Sequence, residues 1–160
     1  MPLDLSQCRE LFGAVQQAAA SLGVSDVEAT LGAHCAALTR FANNTIHQNV
    51  AEQDRWISVR VAVDQQTARA TTNRFDPDSI RSAVEQAFAL ARSSAPNSDL
   101  LPLNENSLIS ETKRFDSATA SATPAHRGRA VAEAIRIVES AGQTAAGIYS
   151  TGQSLSLIHI

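Results

Sequence analysis

The chain has 160 residues, of which 44% are hydrophobic and 18% are charged, a balance typical of one globular domain with a buried core. The formal net charge is −3 and the basic residues form no run, so a general nucleic-acid-binding surface is not predicted. No stretch approaches the roughly 20 apolar residues that span a bilayer, and the N-terminus does not resemble a signal peptide. We therefore expect a cytoplasmic protein with no membrane or nucleic-acid partner.

An amphipathic helix is predicted close to the N-terminus. Asp4 can cap its first turn, Gln7 lies three residues later as a capping box requires, and Gly23 is placed to end it. The apolar residues in between recur every three or four positions and therefore share one helix face. They are Leu5, Cys8, Leu11, Phe12, Val15, Ala18, Ala19 and Leu22.

Between residues 26 and 73 the pattern changes to an alternation of period two, which is typical of strands with one buried face. Asn43 and Asn44 predict a tight hairpin turn, and residues 64–66 predict a second reversal. Ile57, Val59, Val61 and Val63 are expected to point towards the core. The predicted strands are Val27 to Ala33, Ala36 to Ala42, Thr45 to Glu52, Trp56 to Val63 and Thr67 to Thr72.

Two further helices are predicted to start at aspartate or threonine followed by proline. Asp76-Pro77 begins one, and Thr123-Pro124 begins another that ends near Gly142. Residues 96–122 predict a long connection with a short strand near 107–109, and residues 144–151 predict the opening of another strand. The expected fold class is α+β (mixed α/β): an antiparallel meander of about five strands with an N-terminal helix and two further helices packed on it.

The last six residues, Leu155 to Ile160, coincide in every position with one reading frame of a widely used transposon-type sequencing adaptor. We predict that residues 155–160 are a non-native tail and that residues 1–154 are a domain truncated before a further one. His159 would then have no role. The alternative is an ordinary apolar C-terminal strand.

No complete catalytic or metal-binding motif is present, whether for a zinc protease, a phosphate loop, a dinucleotide fold or a nucleophile elbow. His34 and Cys35 are neighbours on a predicted strand, so their side chains point to opposite faces and cannot share one ion. No serine has an identifiable base partner in the sequence. We therefore predict no catalytic residue and no metal ligand in this chain.

A polar surface patch is predicted on the hairpin. Arg40, His47 and Asn49 would share one sheet face if the two strands pair about the Asn43-Asn44 turn. Such a patch could bind a ligand. The pattern favours the alternative, an ordinary solvated face of the sheet.

An ordered series of segments resembles the N-terminal domain of the TldD/PmbA family. The series comprises Leu38 to Val50, Ile57 to Val61, Ala70 to Asn73 and the helix that begins at Asp76-Pro77. The resemblance covers about residues 5 to 154, rests on pattern and order, and includes no catalytic signature.

The resemblance implies a cytoplasmic two-domain parent protein that acts on peptides or unfolded polypeptides as a homodimer or with a paralogous subunit. In TldD-type members an H-E-x-x-x-H motif and a cysteine of the C-terminal domain hold zinc, whereas PmbA-type members lack this set. None of these ligands has a counterpart here, so no cofactor is expected in this chain and zinc is expected in the missing domain if the parent is TldD-type.

Three functions follow from the resemblance. The first is a cleft-forming and assembly domain of a metallopeptidase, catalytically incomplete by itself. The alternative is a non-catalytic PmbA-type partner subunit of a heteromeric protease complex. A nucleic-acid-linked regulator, which the family's older description as modulators of DNA gyrase suggests, is disfavoured by the charge balance.

Overall fold

The computed structural model describes residues 4–103 and 114–160, and the predicted α+β class is confirmed. The short strand predicted near residues 107–109 lies outside the described residues. In chain order the elements are α1 (Leu5–Ser21), β1 (Asp26–Ala42), β2 (Thr45–Val63), β3 (Gln66–Thr72), α2 (Pro77–Ser93), α3 (Ser117–Ala120), α4 (Pro124–Ser140) and β4 (Gly147–His159).

In the described residues the sheet has four strands in the order β3-β2-β1-β4, so the prediction of about five strands was wrong in number. β1 continues without a break through residues 34–35, and β2 continues through residues 53–55. A chain reversal needs residues that leave the extended conformation, and none lies at either position. In the described part of the chain, the non-glycine residues with positive φ are Asn43, Asn44, Asp64 and Gln65, which form the two predicted turns.

The described residues divide into two compact units. Unit 1 contains residues 4–33, 55–103 and 155–160, and unit 2 contains residues 34–54 and 114–154. Strands β1, β2 and β4 contribute residues to both units.

Unit 1 contains the main apolar core. The predicted face of β2 is confirmed, because Ile57, Val59 and Val61 are fully buried. They pack with the buried faces of α1 and α2, and burying one such side chain contributes roughly 1.5–3 kcal/mol. Leu5, which the helical pattern placed on the buried face, is instead 64% exposed at the start of α1.

The predicted helix starts are confirmed. Asp4 accepts the backbone N–H of Gln7, whose side chain accepts the N–H of Asp4. Asp76 accepts the backbone N–H of Ser79 at 2.9 Å, and this bond, with a second from the Ser79 hydroxyl, holds the pKa of Asp76 below its usual value. Gly23, after α1, has a φ of +70°.

A charged cluster lies on β1, β2 and β3 of unit 1. Arg60 and Arg69 are directly opposite each other in the β2–β3 register. Glu28, only 7% exposed, bonds both: its carboxylate oxygens lie 2.8 Å from Arg60 Nη2 and 2.6 Å from Arg69 Nη2. One carboxylate thus separates two guanidinium groups that would otherwise repel each other.

Trp56 covers a glycine of the neighbouring strand. A Cβ atom built on Gly32 would lie 2.3 Å from Cε2 of the Trp56 indole, closer than any real carbon contact. The absence of a side chain at position 32 therefore allows the ring to lie against the β1 backbone.

The end of β4 belongs to unit 1. Leu157 packs against the core, and the His159 ring stacks on Phe12 with centroids 5.2 Å apart. The adaptor origin of residues 155–160 stays a prediction.

In the described ranges, no helix has the length and apolar character needed to cross a bilayer.

Candidate functional site

The β1–β2 hairpin forms one side of unit 2. Asn43 and Asn44 have φ values of +50° and +57°, as a two-residue turn of the mirror-image type requires. Asn44 also anchors the chain before β4. Its side chain donates to the Gln143 carbonyl at 3.1 Å and accepts the Ala145 N–H at 2.7 Å.

This anchoring predicts unequal effects of glycine at the two turn positions. Asn44→Gly should lower the free energy of unfolding by about 1–3 kcal/mol, because it removes two hydrogen bonds while the backbone conformation stays allowed. Asn43→Gly changes the backbone in the same way without removing a side-chain hydrogen bond, so it is the matched control. Urea denaturation of both variants measures the difference, and equal midpoints would contradict the anchoring role.

The structure does not bring Arg40, His47 and Asn49 together as one patch. All three are exposed. Arg40 donates to the side chain of Gln48 at 3.3 Å, whereas Asn49 bonds the buried hydroxyl of Thr39. Because neighbouring strand residues point to opposite faces, these bonds place Arg40 and Asn49 on different faces. A binding role for any of the three stays a prediction.

Ser154 has a base partner that sequence reasoning missed. Its Oγ lies 2.8 Å from Nδ1 of His34, on the neighbouring strand. A catalytic pair also needs a group that orients the histidine. Within the described ranges no carboxylate bonds the other ring nitrogen of His34, so the geometry is that of a hydrogen bond between two exposed side chains.

A groove of about 120 Å³ lies between α3 and the strands of unit 2. Its lining includes Cys35, Glu52, Ala122, Thr151 and Gln153. A second groove of about 440 Å³ shares Gly152 and Gln153 with it and includes Arg114, Phe115, Asp116 and Ser154. The two volumes adjoin, so we name them together the α3–β4 groove.

A buried arginine lies behind this groove. Arg127, on α4, is 1% exposed, and its Nη1 donates to the Ala122 carbonyl at 3.0 Å and to the Thr151 hydroxyl at 3.3 Å. Its buried Nε has no hydrogen-bond partner, and none of the ion pairs in the described part of the chain includes it. Sequence reasoning missed Arg127. The available signal was its spacing of four residues from Val131 and eight from Ile135, which lie on the buried face of α4.

The residues that the structure describes do not fit a metal site. Across residues 4–103 and 114–160, no three histidine, cysteine, aspartate or glutamate side chains are grouped as metal ligands. His34 bonds Ser154, and Cys35 is half-buried in the wall of the groove.

Comparison with known proteins gives a family match over part of the chain. Residues 36–91 match the family model described as PmbA/TldA metallopeptidase domain 1, so the predicted resemblance is confirmed over that segment. Comparison with curated proteins finds no match.

Three solved structures share the fold. TldE from Thermococcus kodakarensis superposes with a TM-score of 0.76 at 15% identity, covering 95% of this chain and 34% of that one. A protein from Thermotoga maritima described as a modulator of DNA gyrase superposes with a TM-score of 0.74 at 14% sequence identity, covering 94% of this chain and 34% of that one. A protein from Bacteroides thetaiotaomicron with the same description superposes with a TM-score of 0.73 at 12% sequence identity, covering 94% of this chain and 36% of that one. The chain thus spans about a third of the length of these structures.

Proposed function

We propose, from the match of residues 36–91 to the first domain of the TldD/PmbA family, that this chain is the cleft-forming and assembly domain of a zinc metallopeptidase. The single observation that carries the proposal is that match, because the family model is described as a metallopeptidase domain. The parent protein would be cytoplasmic, would act on peptides or unfolded polypeptides, and would work as a homodimer or with a paralogous subunit.

In this proposal the chain shapes the substrate cleft, and another domain of the parent protein binds zinc. The sheet with its helices would form a wall, and the α3–β4 groove provides a concave surface lined by polar and apolar groups. The described residues offer no grouped metal ligands, so zinc would be held by another part of the parent, where it would activate water for hydrolysis.

The alternative proposal is a non-catalytic partner subunit that completes a complex with a catalytic paralogue. A PmbA-type parent would have the same first domain and lack the zinc ligands. Metal content of the full-length parent separates the two proposals: one zinc per chain favours the peptidase, and none favours the partner subunit.

The chain alone is expected to hold no stoichiometric zinc and to cleave no peptide. Purified protein, incubated with zinc and then dialysed, should contain far less than one ion per chain by atomic emission analysis. Cys35→Ser should give the same metal content, because no group of three metal-ligating side chains in the described residues includes Cys35. One tightly held zinc per chain that Cys35→Ser removes would contradict the proposal.

A further inference from the structure

We infer that the α3–β4 groove is a binding site for a carboxylate group of a polypeptide, with Thr151 as the donor and Arg127 as the charge behind it. The inference rests on the geometry of unit 2 and needs no metal. The choice of a polypeptide as the ligand rests on the proposed function, whereas the carboxylate site itself does not depend on peptidase activity.

The first step is the charge of Arg127. Guanidinium is protonated at all physiological pH values, and a buried charge is costly unless an opposite charge or a set of hydrogen bonds compensates it. Arg127 is 1% exposed, and the described residues supply a carbonyl and a hydroxyl as its acceptors but no carboxylate. An anion close to this side chain would therefore be favoured.

Hydrogen bonds connect the buried Arg127 side chain to the groove. Both of its acceptors belong to residues that line the groove, Ala122 and Thr151. Because the Thr151 oxygen accepts from Arg127, its own O–H is left to donate elsewhere, and hydrogen bonds in such a chain strengthen one another. Thr151 can thus present a polarised donor to an acceptor in the groove, with Arg127 as a positioning residue.

The volume of the groove and the charges in its lining also bear on the ligand. A volume of about 120 Å³ corresponds to roughly four water molecules, which suits a carboxylate group and the first atoms attached to it. The adjoining volume can hold a short stretch of chain, and Arg114 adds positive charge there. Asp116 adds negative charge to the same volume and should repel an anion there, and its carboxylate accepts the N–H of Thr119 at 2.7 Å.

A second acidic side chain in the lining also works against the ligand. Glu52 is exposed and lies in the same groove as Thr151. Its carboxylate should repel a bound anion, so its removal should tighten binding. Replacing Thr151 should weaken binding and replacing Glu52 should strengthen it. General damage to the fold would weaken binding in both variants.

The test uses calorimetric titration of the 160-residue chain with three peptides. The first is acetyl-tetra-alanine with a free C-terminal carboxylate, the second is its amide, and the third is the amide with one alanine replaced by aspartate. We expect at least one carboxylate-bearing peptide to bind, and the alanine amide to bind at least tenfold more weakly. The free acid and the aspartate peptide distinguish a chain terminus from an acidic side chain as the source of the carboxylate.

Variants locate the site. Thr151→Val, which keeps the shape and removes the hydroxyl, should weaken binding about tenfold, and Glu52→Gln should tighten it several-fold. Thr45→Val, on the hairpin outside the groove lining, is the matched control and should leave the Kd unchanged. Circular dichroism confirms that each variant is folded. Equal binding of all three peptides, no binding of any, or insensitivity to both Thr151→Val and Glu52→Gln would overturn the inference.

Discussion

Replacing Glu28 with glutamine is expected to lower the free energy of unfolding by about 2–4 kcal/mol. Arg60 and Arg69 are opposite each other on adjacent strands, and the Glu28 carboxylate bonds both. Glutamine retains an acceptor oxygen but removes the charge that separates the guanidinium groups. Breaking a fully buried pair costs roughly 3–5 kcal/mol, and the 32% and 43% exposure of the two arginine side chains reduces that value here.

Two further variants make this prediction specific. Glu133→Gln breaks an exposed pair with Arg136 on α4 and should cause no measurable change in stability. Adding Arg69→Thr to Glu28→Gln should recover part of the loss, because it removes one of the two repelling charges. Urea denaturation followed by circular dichroism measures all of them. A Glu28→Gln variant as stable as the unsubstituted chain would show that the cluster contributes nothing to the fold.

Alanine at position 32 is expected to destabilise the chain by about 1–3 kcal/mol through overpacking. The new Cβ would lie 2.3 Å from the Trp56 ring, so either the indole moves into solvent or the strands separate. Trp56 is the only tryptophan in the sequence, so its fluorescence reports on the contact directly. The emission maximum should move to longer wavelength in the folded state of Gly32→Ala.

The matched control for this substitution is Gly13→Ala, for which the expected sign is opposite. Gly13 lies within α1, and apart from its chain neighbours and the nearby backbone of its own helix, a Cβ there would meet no atom within 4 Å. Because alanine is a better helix former than glycine, this variant should gain roughly 0.5–1 kcal/mol and leave the fluorescence unchanged. A loss of stability in Gly13→Ala, or a neutral Gly32→Ala, would contradict the packing described for these glycines.

The elements with local signals could be predicted from the sequence. Asp4, Asp76 and Thr123 cap α1, α2 and α4, and the paired asparagines form the hairpin turn. These features depend on residues within a few positions of one another. The number of strands could not be predicted in the same way. Residues 34–35 and 53–55 lose the regular alternation of apolar and polar residues, yet the backbone there continues extended without a turn.

The candidate site was harder to predict from the sequence, because it depends on contacts between residues that are far apart along the chain. Ser154 and His34 form a hydrogen bond although they are 120 positions apart in the sequence, and Arg127 and Thr151 do so at a separation of 24. Neither pairing has a motif. A hydrogen bond of the hairpin joins Asn49 to Thr39, the neighbour of Arg40, and the sequence did not predict this pairing. Register decides which side chains share a face, and turn residues alone do not determine it along the whole hairpin.

Sequencing the genomic locus through codon 154 tests the central proposal most directly, since it decides whether this domain belongs to a longer TldD/PmbA-type protein. We predict that the native codons after Ser154 do not encode Leu155 to Ile160, and that the reading frame continues into a second domain. An H-E-x-x-x-H motif followed by a cysteine in that domain would support the metallopeptidase, and an intact domain without them would support the partner subunit. Native codons for all six residues followed by a stop codon would contradict the proposal.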